Sequence, residues 1–292
     1  MIIKKILDRI YTKNSYLREL DSVKILLGNI ISDNNKKKIE TNISSYEFSI
    51  FSQWGDDGII DYLINNLDIK NKSFIEFGVQ DYTECNTKFL LMNKNWKGLI
   101  IDESEKLINK IKSSDIYWRF DITAVKSFIT KNNINNIFKE NNFVGQIGLL
   151  SIDIDGNDYW IWDSINCVDP EIVIIEYNSR LGSEKAITIP YREDFERKKA
   201  HYSNIYYGAS LKALINLGKK KNYIFIGCNS AGNNAYFIKS KLENSKIKEI
   251  KIKDGFVRSK FRESRDENGN KNYLNFEEEK KILHNLNFQS LD

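Results

Sequence analysis

The stretch LLSIDIDGNDYW, residues 149–160, joins an apolar run to a group of carboxylates. Its first four residues are typical of a buried strand, whereas Asp153, Asp155 and the turn residue Gly156 follow at once. A buried charge is costly unless it is paired or binds a metal, so strand interiors rarely carry one. Strand ends, in contrast, open into clefts. We therefore expect Asp153 and Asp155 to lie at the carboxyl end of a strand, beside a binding site.

Similar short apolar runs recur on both sides of this stretch, mostly separated by helix-length segments. The runs predict strands at 74–78, 98–102, 116–121, 147–153, 171–177, 223–228 and 235–240. Alternating strands and helices are typical of a parallel sheet with helices on both faces. Residues 229–234 are too few for a crossover connection, so the last strand should run antiparallel. The predicted fold class is α/β, with a Rossmann-like, mostly parallel sheet.

The chain divides into three predicted parts. Residues 1–45 have helical apolar spacing and should form a helical segment that covers either the main domain or a partner. Residues 46–240 hold the predicted strands. Residues 241–292 are strongly charged and end in a helix-like stretch. We expect this last part to be a surface appendage, a lid or an assembly element.

Bulk composition limits the function classes. The 292 residues carry a formal net charge of +4, and acidic residues interleave the basic segments, which does not favour a nucleic-acid partner. Three scattered cysteines and two histidines offer no zinc-ligand spacing and suit a reducing cytoplasm. No run of about 18 apolar residues occurs, so we expect a cytoplasmic protein without a membrane partner.

Polar residues follow most of the predicted parallel strands. In order along the chain they are Glu76 and Gly78, Asp102, Asp121, Asp153, and Glu176 with Asn178. Ligands of open α/β sheets bind at the carboxyl ends of the strands. Asp102 follows Gly78 by 102 − 78 = 24 positions, near the spacing of about 20 at which an acid binds ribose hydroxyls. The loop after Gly78 lacks further glycines, which disfavours NAD.

These motifs together resemble the class I S-adenosylmethionine-dependent methyltransferases. The resemblance rests on EFG at 76–78, the acid Asp102, LLSIDIDGNDYW at 149–160 and the hairpin YIFIGCNSAGNNAYFI at 223–238. SQWGDDGII at 52–60 is similar to the segment that opens the FkbM-like branch, many of whose members methylate sugars and other hydroxylated small molecules. The likeness covers residues 48–239.

The resemblance implies roles for the residues at the strand ends. Glu76 and Gly78 would flank the methionine end of S-adenosyl-L-methionine, and Asp153 would also contact the cofactor. Asp102 would hold the ribose hydroxyls, and Asp121 would lie near the adenine amine.

A metal site is a second expectation at the same edge. Asp153, Glu176 and Asn178 offer the oxygen ligands that Mg²⁺ or Mn²⁺ takes, and such an ion can acidify an acceptor hydroxyl. The set resembles the metal site of metal-dependent O-methyltransferases. In the alternative, Asp153 caps a turn and Glu176 pairs with Arg180 or Arg192.

Two residues are candidate bases if no metal takes part. Asp155 shares the side of Asp153 if the strand continues, and His201 is the only histidine of the predicted main domain. The sequence fits His201 equally well as a solvated loop residue without a catalytic role.

The predicted function is transfer of methyl from S-adenosyl-L-methionine to a hydroxyl of a sugar or sugar nucleotide, as in surface polysaccharide or related glycan biosynthesis. Arg262 and Arg265 are the candidates for contacting a phosphorylated acceptor. The alternatives are an RNA or other small-molecule methyltransferase and a non-catalytic binding protein on the same fold. A homodimer also stays open.

Overall fold

The computed structural model describes the backbone of residues 2–292 and the side chains of residues 16–292. The strands are β1 (Ser73–Phe77), β2 (Lys97–Asp102), β3 (Ile122–Lys126), β4 (Gly145–Ile152), β5 (Val168–Glu176), β6 (Ile187–Thr188), β7 (Tyr223–Cys228), β8 (Asn234–Lys239) and β9 (Gln289–Ser290). The helices are α1 (Ile2–Asn35), α2 (Asp56–Asn66), α3 (Lys88–Lys94), α4 (Glu105–Lys112), α5 (Asp115–Arg119), α6 (Ile134–Glu140), α7 (Asp158–Ser164), α8 (Arg197–Ala200), α9 (Leu211–Lys220), α10 (Ile252–Gly255) and α11 (Phe276–His284). Short 3₁₀ turns lie at Ile43–Tyr46, Ser179–Leu181 and Ser240–Leu242.

Seven strands form one sheet in the order β3-β2-β1-β4-β5-β8-β7. Strands β1 to β5 pair in parallel, and β8 runs antiparallel between β5 and β7. The predicted fold class, including the antiparallel last strand, is confirmed. The chain leaves β1 in one direction and returns beside it as β4, so a crevice opens between the carboxyl ends of these two strands.

The sheet is buried on both faces, as a mostly parallel sheet requires. Trp162 and Phe237 belong to the apolar cluster on one face, and Leu63 and Phe74 to the cluster on the other. Burial on both faces explains why the strands read as continuous apolar runs: β5 has no exposed residue between Pro170 and Glu176.

The third predicted strand is wrong. Residues 115–119 form helix α5, and β3 begins only at Ile122. A short apolar run fits helix and strand equally well, whereas the β-branched residues that follow fit the edge of a sheet. Asp121 therefore precedes β3, and its carbonyl accepts a hydrogen bond from Gly98 N at 2.8 Å, near the start of β2. It lies at the edge opposite the crevice.

The first and last parts of the chain pack against the sheet domain. α1 contacts α2 and α3. The C-terminal part adds β9 to β6, and the Glu279 carboxylate pairs with Arg180 at 2.9 Å. The division into three parts stays a prediction. Within residues 2–292, we find no helix with the length and apolar character to cross a bilayer.

Candidate functional site

A cleft of about 550 Å³ lies at the carboxyl edge of the sheet. Its walls come from the loops after β1, β2, β3, β4 and β5, together with residues from four other places. These are residues 53–54, residues 195–198, Asn233 of the β7–β8 hairpin, and Phe261 with Glu263. The topology predicts a ligand site at this edge.

Gly78 lets β1 and β4 meet beneath the cleft. Its φ is +67°, and a Cβ at this position would lie 1.9 Å from the carbonyl oxygen of Asp153. Any other residue would be strained in its backbone and would collide with that carbonyl. The contact explains the lone glycine in EFGVQ and places Asp153 directly beside the end of β1.

Asp102 lines the cleft at the end of β2, as predicted. Its Oδ2 accepts a hydrogen bond from Gln80 N at 2.8 Å, and its Oδ1 accepts one from Ser104 N at 2.9 Å. These backbone bonds fix the carboxylate. A carboxylate has about four lone-pair positions, so each oxygen can still accept a hydroxyl.

Glu76 is placed differently from the expectation. It does not line the cleft, and burial raises its pKa to about 7. Its Oε1 accepts from Asn86 N at 2.7 Å, and its Oε2 accepts from the Thr87 N and Oγ1 at 3.1 and 2.5 Å. Glu76 thus fixes the loop that follows β1 rather than reaching the cleft itself.

Asp121 is also absent from the cleft, because β3 starts after it. The expected contact of Asp121 with an adenine amine is therefore wrong. The carboxyl end of β3 instead presents Ser127, Phe128 and Ile129 to the cleft, and the Phe128 ring is partly exposed there.

Three carboxylates form an acidic floor in the cleft: Asp153, Asp155 and Glu176. One oxygen of each lies within 4.8 Å of the others. Glu176 is 5% exposed, and its Oε2 has no hydrogen-bond partner. Burial, and then repulsion between these carboxylates, raise the pKa of Asp153 and of Glu176 well above the ordinary range. A hydrogen-bond donor or a cation beside Glu176 Oε2 would relieve this repulsion.

The proposed ion-pair alternative for Glu176 is wrong. The Arg180 Nε donates to Glu279 at 2.9 Å, and Arg192 pairs with Asp194 at 3.1 Å. Neither guanidinium is paired with Glu176.

The side chain of Asn178, the third expected metal ligand, is used in hydrogen bonds within the fold. It is fully buried and does not line the cleft. Its Nδ2 donates to the carbonyls of Ile205 and Tyr207 at 2.9 and 3.0 Å, and its Oδ1 accepts from Arg180 N at 3.2 Å. The amide thus ties two loops together, and the structure does not bring it to Asp153.

His201 is likewise outside the cleft lining. Its Nδ1 lies 2.7 Å from Ser203 Oγ, and its ring packs against Tyr202. Partial burial lowers its pKa. The structure gives no support to His201 as a base for a group bound in the cleft.

Arg197, at the start of α8, connects the acidic floor to the C-terminal part of the chain. Its Nη1 lies 2.5 Å from Asp155 Oδ1, and its Nη2 pairs with Glu263. The guanidinium also lies over the Tyr207 ring at 3.6 Å. Sequence reasoning missed Arg197, because nothing distinguishes it from the other charges in residues 192–199.

An aromatic pair forms another wall of the cleft. The rings of Trp54 and Phe261 are stacked, with centroids 5.3 Å apart and an interplanar angle of 15°. Phe261 belongs to the predicted C-terminal extension. This wall brings residues together that are more than two hundred positions apart, and no local pattern announces it.

Two buried aspartates of SQWGDDG support this wall. The Asp57 Oδ2 accepts from the backbone nitrogens of residues 50, 51 and 52 at 2.7, 2.6 and 2.8 Å, although burial still raises its pKa to about 6. Asp56 accepts from the side chains of Asn234, at 2.9 Å, and Tyr236. The motif therefore fixes the loop of Trp54 to the β7–β8 hairpin.

The two arginines expected at a phosphorylated acceptor do not line the cleft. The Arg262 guanidinium lies 5.6 Å from the centroid of the Tyr273 ring. The backbone of Arg265 forms an isolated antiparallel β-bridge with the backbone of Lys271.

Comparisons with known proteins give structural neighbours only. No protein-family model matches this chain, and no curated protein matches it. The solved structures that resemble it include an S-adenosylmethionine-dependent methyltransferase from Clostridium acetobutylicum, with 12% identity, coverage of 63% of this chain and 90% of that chain, and a TM-score of 0.39. The N-terminal domain of EvdMO1 with SAH bound has 8% identity, coverage of 72% and 94%, and a TM-score of 0.41.

A third neighbour is an O-methyltransferase family protein from Burkholderia thailandensis, with 11% identity, coverage of 82% of this chain and 72% of that chain, and a TM-score of 0.37. At such identities and scores these neighbours assign no substrate or reaction. The strand order and the direction of β8 establish the architecture. The chain has the Rossmann-like, mostly parallel sheet with an antiparallel last strand that characterises the class I S-adenosylmethionine-dependent methyltransferase fold.

Proposed function

We propose that this protein transfers a methyl group from S-adenosyl-L-methionine to a hydroxyl of a sugar, as the resemblance to the FkbM-like branch suggests. The observation that carries the proposal is one cleft with two unlike halves. One half has Asp102 and the glycine contact at Gly78. The other half has the acidic floor and the stacked rings of Trp54 and Phe261.

The cofactor half fits an adenosine with a cationic sulfonium. Asp102 is fixed by two backbone donors and keeps lone pairs for ribose hydroxyls. Phe128 offers a partly exposed ring for the adenine. S-adenosyl-L-methionine supplies an electrophilic methyl group when it is bound, and the contact of the Asp153 backbone with Gly78 brings the acidic floor beside the end of β1.

The acceptor half fits a molecule with several hydrogen-bond donors. The Oε2 of Glu176 and the Oδ1 of Asn157 are buried without a partner, and both residues line the cleft. Only donors or a cation relieve such atoms. Sugar hydroxyls are donors, and a sugar ring has apolar faces that pack on aromatic side chains such as Trp54.

The negative charge of the residues that line the cleft argues against an RNA acceptor. The described residues that line it include seven acids and two bases, Arg197 and Lys198. A ligand rich in phosphate groups is bound by an excess of Lys and Arg side chains, which this cleft does not have. A sugar nucleotide fits only if its sugar enters the cleft and its diphosphate stays outside.

Asp153 and Glu176 are also proposed to hold Mg²⁺ or Mn²⁺. The residues fit such an ion, since their oxygens converge and Glu176 Oε2 lacks a partner. A bound divalent ion would lower the pKa of an acceptor hydroxyl. Without Asn178, further ligands would be water and acceptor oxygens, because Arg197 occupies Asp155.

The test of the cofactor assignment compares Asp102→Ala with Asp121→Ala, which removes the same group at the opposite edge of the sheet. Asp102→Ala should weaken S-adenosylhomocysteine binding at least tenfold, about 1.4 kcal/mol, whereas Asp121→Ala should not change it. Isothermal titration calorimetry measures both. Equal affinities in the two variants would remove the ribose assignment.

The acceptor and metal assignments need separate measurements. Mass spectrometry of products formed from a panel of sugars and RNA oligonucleotides identifies the acceptor class, and methylation of RNA alone would contradict the proposal. Chelation should suppress sugar methylation, and Mn²⁺ should restore it. Glu176→Gln should lose Mn²⁺ binding in calorimetry but retain S-adenosylhomocysteine binding. Full turnover by the metal-stripped enzyme would exclude a catalytic role for a metal ion and leave Asp153 or Asp155 as the base.

A further inference from the structure

The outward side of α1 carries the largest group of exposed apolar side chains in the described part of the molecule. Half of the sixteen exposed large hydrophobic residues among positions 16–292 lie on this helix, each 37% to 65% exposed. They are Tyr16, Leu17, Leu20, Val23, Leu26, Leu27, Ile30 and Ile31. Extended apolar patches of this kind mark interaction sites more often than free surface.

The opposite side of the same helix already has its partners. Ile25 packs against the cluster of Phe48, Phe51 and Phe89. Ser32 Oγ donates to Asp61 at 2.5 Å, and Asn35 Nδ2 donates to a backbone carbonyl at 2.8 Å. The domain therefore fixes which side of α1 faces outward, and rotation of the helix cannot bury the exposed side chains.

The exposed residues follow the spacing of a coiled-coil seam. Tyr16, Leu20, Val23, Leu27 and Ile30 are separated by four, three, four and three positions. This alternation places Leu20 and Leu27 at a positions and the other three at d positions of a heptad. Such a seam requires another helix of the same spacing, and a second copy of α1 provides it.

We propose that the outer side of α1 pairs in parallel and in register with α1 of a second copy of this chain. Glu19 precedes one a position and Lys24 follows the next d position, so they occupy g and e positions five residues apart. Parallel pairing sets Glu19 of one copy against Lys24 of the other. Antiparallel pairing would set Glu19 against Leu26 or Asp33, neither of which offers an opposite charge.

The Lys24 ammonium is compatible with this pairing. It lies on the flank of α1, 5.6 Å from the Phe51 ring centroid. Its four-carbon stem is flexible, so the ammonium can reach Glu19 of a second copy. The helix backbone covers 34 residues, about 51 Å at 1.5 Å per residue, which gives the pair a long common axis.

Sedimentation equilibrium of the full chain tests the pairing. The wild-type protein should be dimeric, and the double variant Leu20→Lys, Leu27→Lys should be monomeric. The matched control is Val144→Lys, which makes the same change at an exposed apolar residue outside α1 and should stay dimeric. Unchanged S-adenosylhomocysteine binding checks the fold in each variant and is independent of pairing.

Disulfide formation tests the orientation. In a parallel, in-register pair, Leu20→Cys faces its own copy and should cross-link under mild oxidation. Ser22→Cys, exposed on the same helix but off the seam, should not. The proposal fails if the wild-type protein is monomeric, if the double variant stays dimeric, or if only Ser22→Cys cross-links. Binding of the wild-type monomer to anionic lipid vesicles, lost in the double variant, would instead assign this side of α1 to a membrane surface.

Discussion

Gly78→Ala should destabilise this protein much more than a glycine substitution with nearly the same backbone angle elsewhere. At Gly78, φ is +67°, and the new Cβ would lie 1.9 Å from Asp153 O. Gly145 has φ +71° and nothing within 4 Å of the corresponding Cβ. The two variants therefore share the backbone strain and differ in the collision.

The expected magnitudes follow from these two terms. A left-handed backbone costs a non-glycine residue about 1–2 kcal/mol, and this is all that Gly145→Ala should lose. An ordinary carbon–oxygen contact is about 3.3 Å, so Gly78→Ala must displace the Asp153 carbonyl by more than an ångström. Overpacking of this kind costs about 1–3 kcal/mol. Gly78→Ala should thus lose about 2–5 kcal/mol in total.

Urea unfolding of both variants measures the free energy of unfolding by linear extrapolation. The displaced carbonyl is that of Asp153, whose side chain is part of the acidic floor. Gly78→Ala should therefore also weaken S-adenosylhomocysteine binding, whereas Gly145→Ala should not. Equal losses of stability in the two variants would refute the close contact between β1 and β4.

Three further predictions concern Glu76, which fixes the loop after β1, and two residues that line the cleft. Burial raises the pKa of Glu76 to about 7, so the stability that its protonated form contributes is present below pH 4.5 and is lost as pH rises through 7. In urea unfolding at a series of pH values, Glu76→Gln should reduce this loss of stability with rising pH. An unchanged pH dependence would contradict the raised pKa of Glu76. Phe261→Ala removes the stack on Trp54, about 0.5–1.5 kcal/mol, so the acceptor KM should rise while S-adenosylhomocysteine affinity stays the same; the exposed Phe276→Ala is the control, and an equal effect there would dismiss the wall. Arg197→Gln releases Asp155 as a ligand, so Mn²⁺ affinity measured by calorimetry should increase, and a decrease would show that Arg197 supports the floor rather than competing for it.

Most strands of the sheet, and the proximity of two key carboxylates, can be predicted from the sequence alone. Apolar runs alternating with helices predict a parallel sheet, since each run must be buried on both faces. Asp153 and Glu176 end consecutive parallel strands, so their proximity follows from pairing of β4 with β5. Gly78 and Asp102 were found for the same reason, because they stand directly at strand ends.

Which polar residues face the cleft could not be predicted from the sequence, because it depends on how the chain folds after each strand. Asn178 lies two positions after Glu176, but the chain turns into a short 3₁₀ helix there and the amide is used by the carbonyls of Ile205 and Tyr207. Asp121 was misplaced because the run before it folds as a helix.

The largest gap between sequence and structure concerns contacts between distant segments. Phe261 meets Trp54, and Arg197 joins Asp155 to Glu263, although neither set is close in sequence. Propensity and periodicity act over a few residues, because they reflect local backbone geometry and the burial of one face. Which charged or aromatic residue of a distant loop completes a cleft depends on how the whole chain packs, and only the folded structure contains that information.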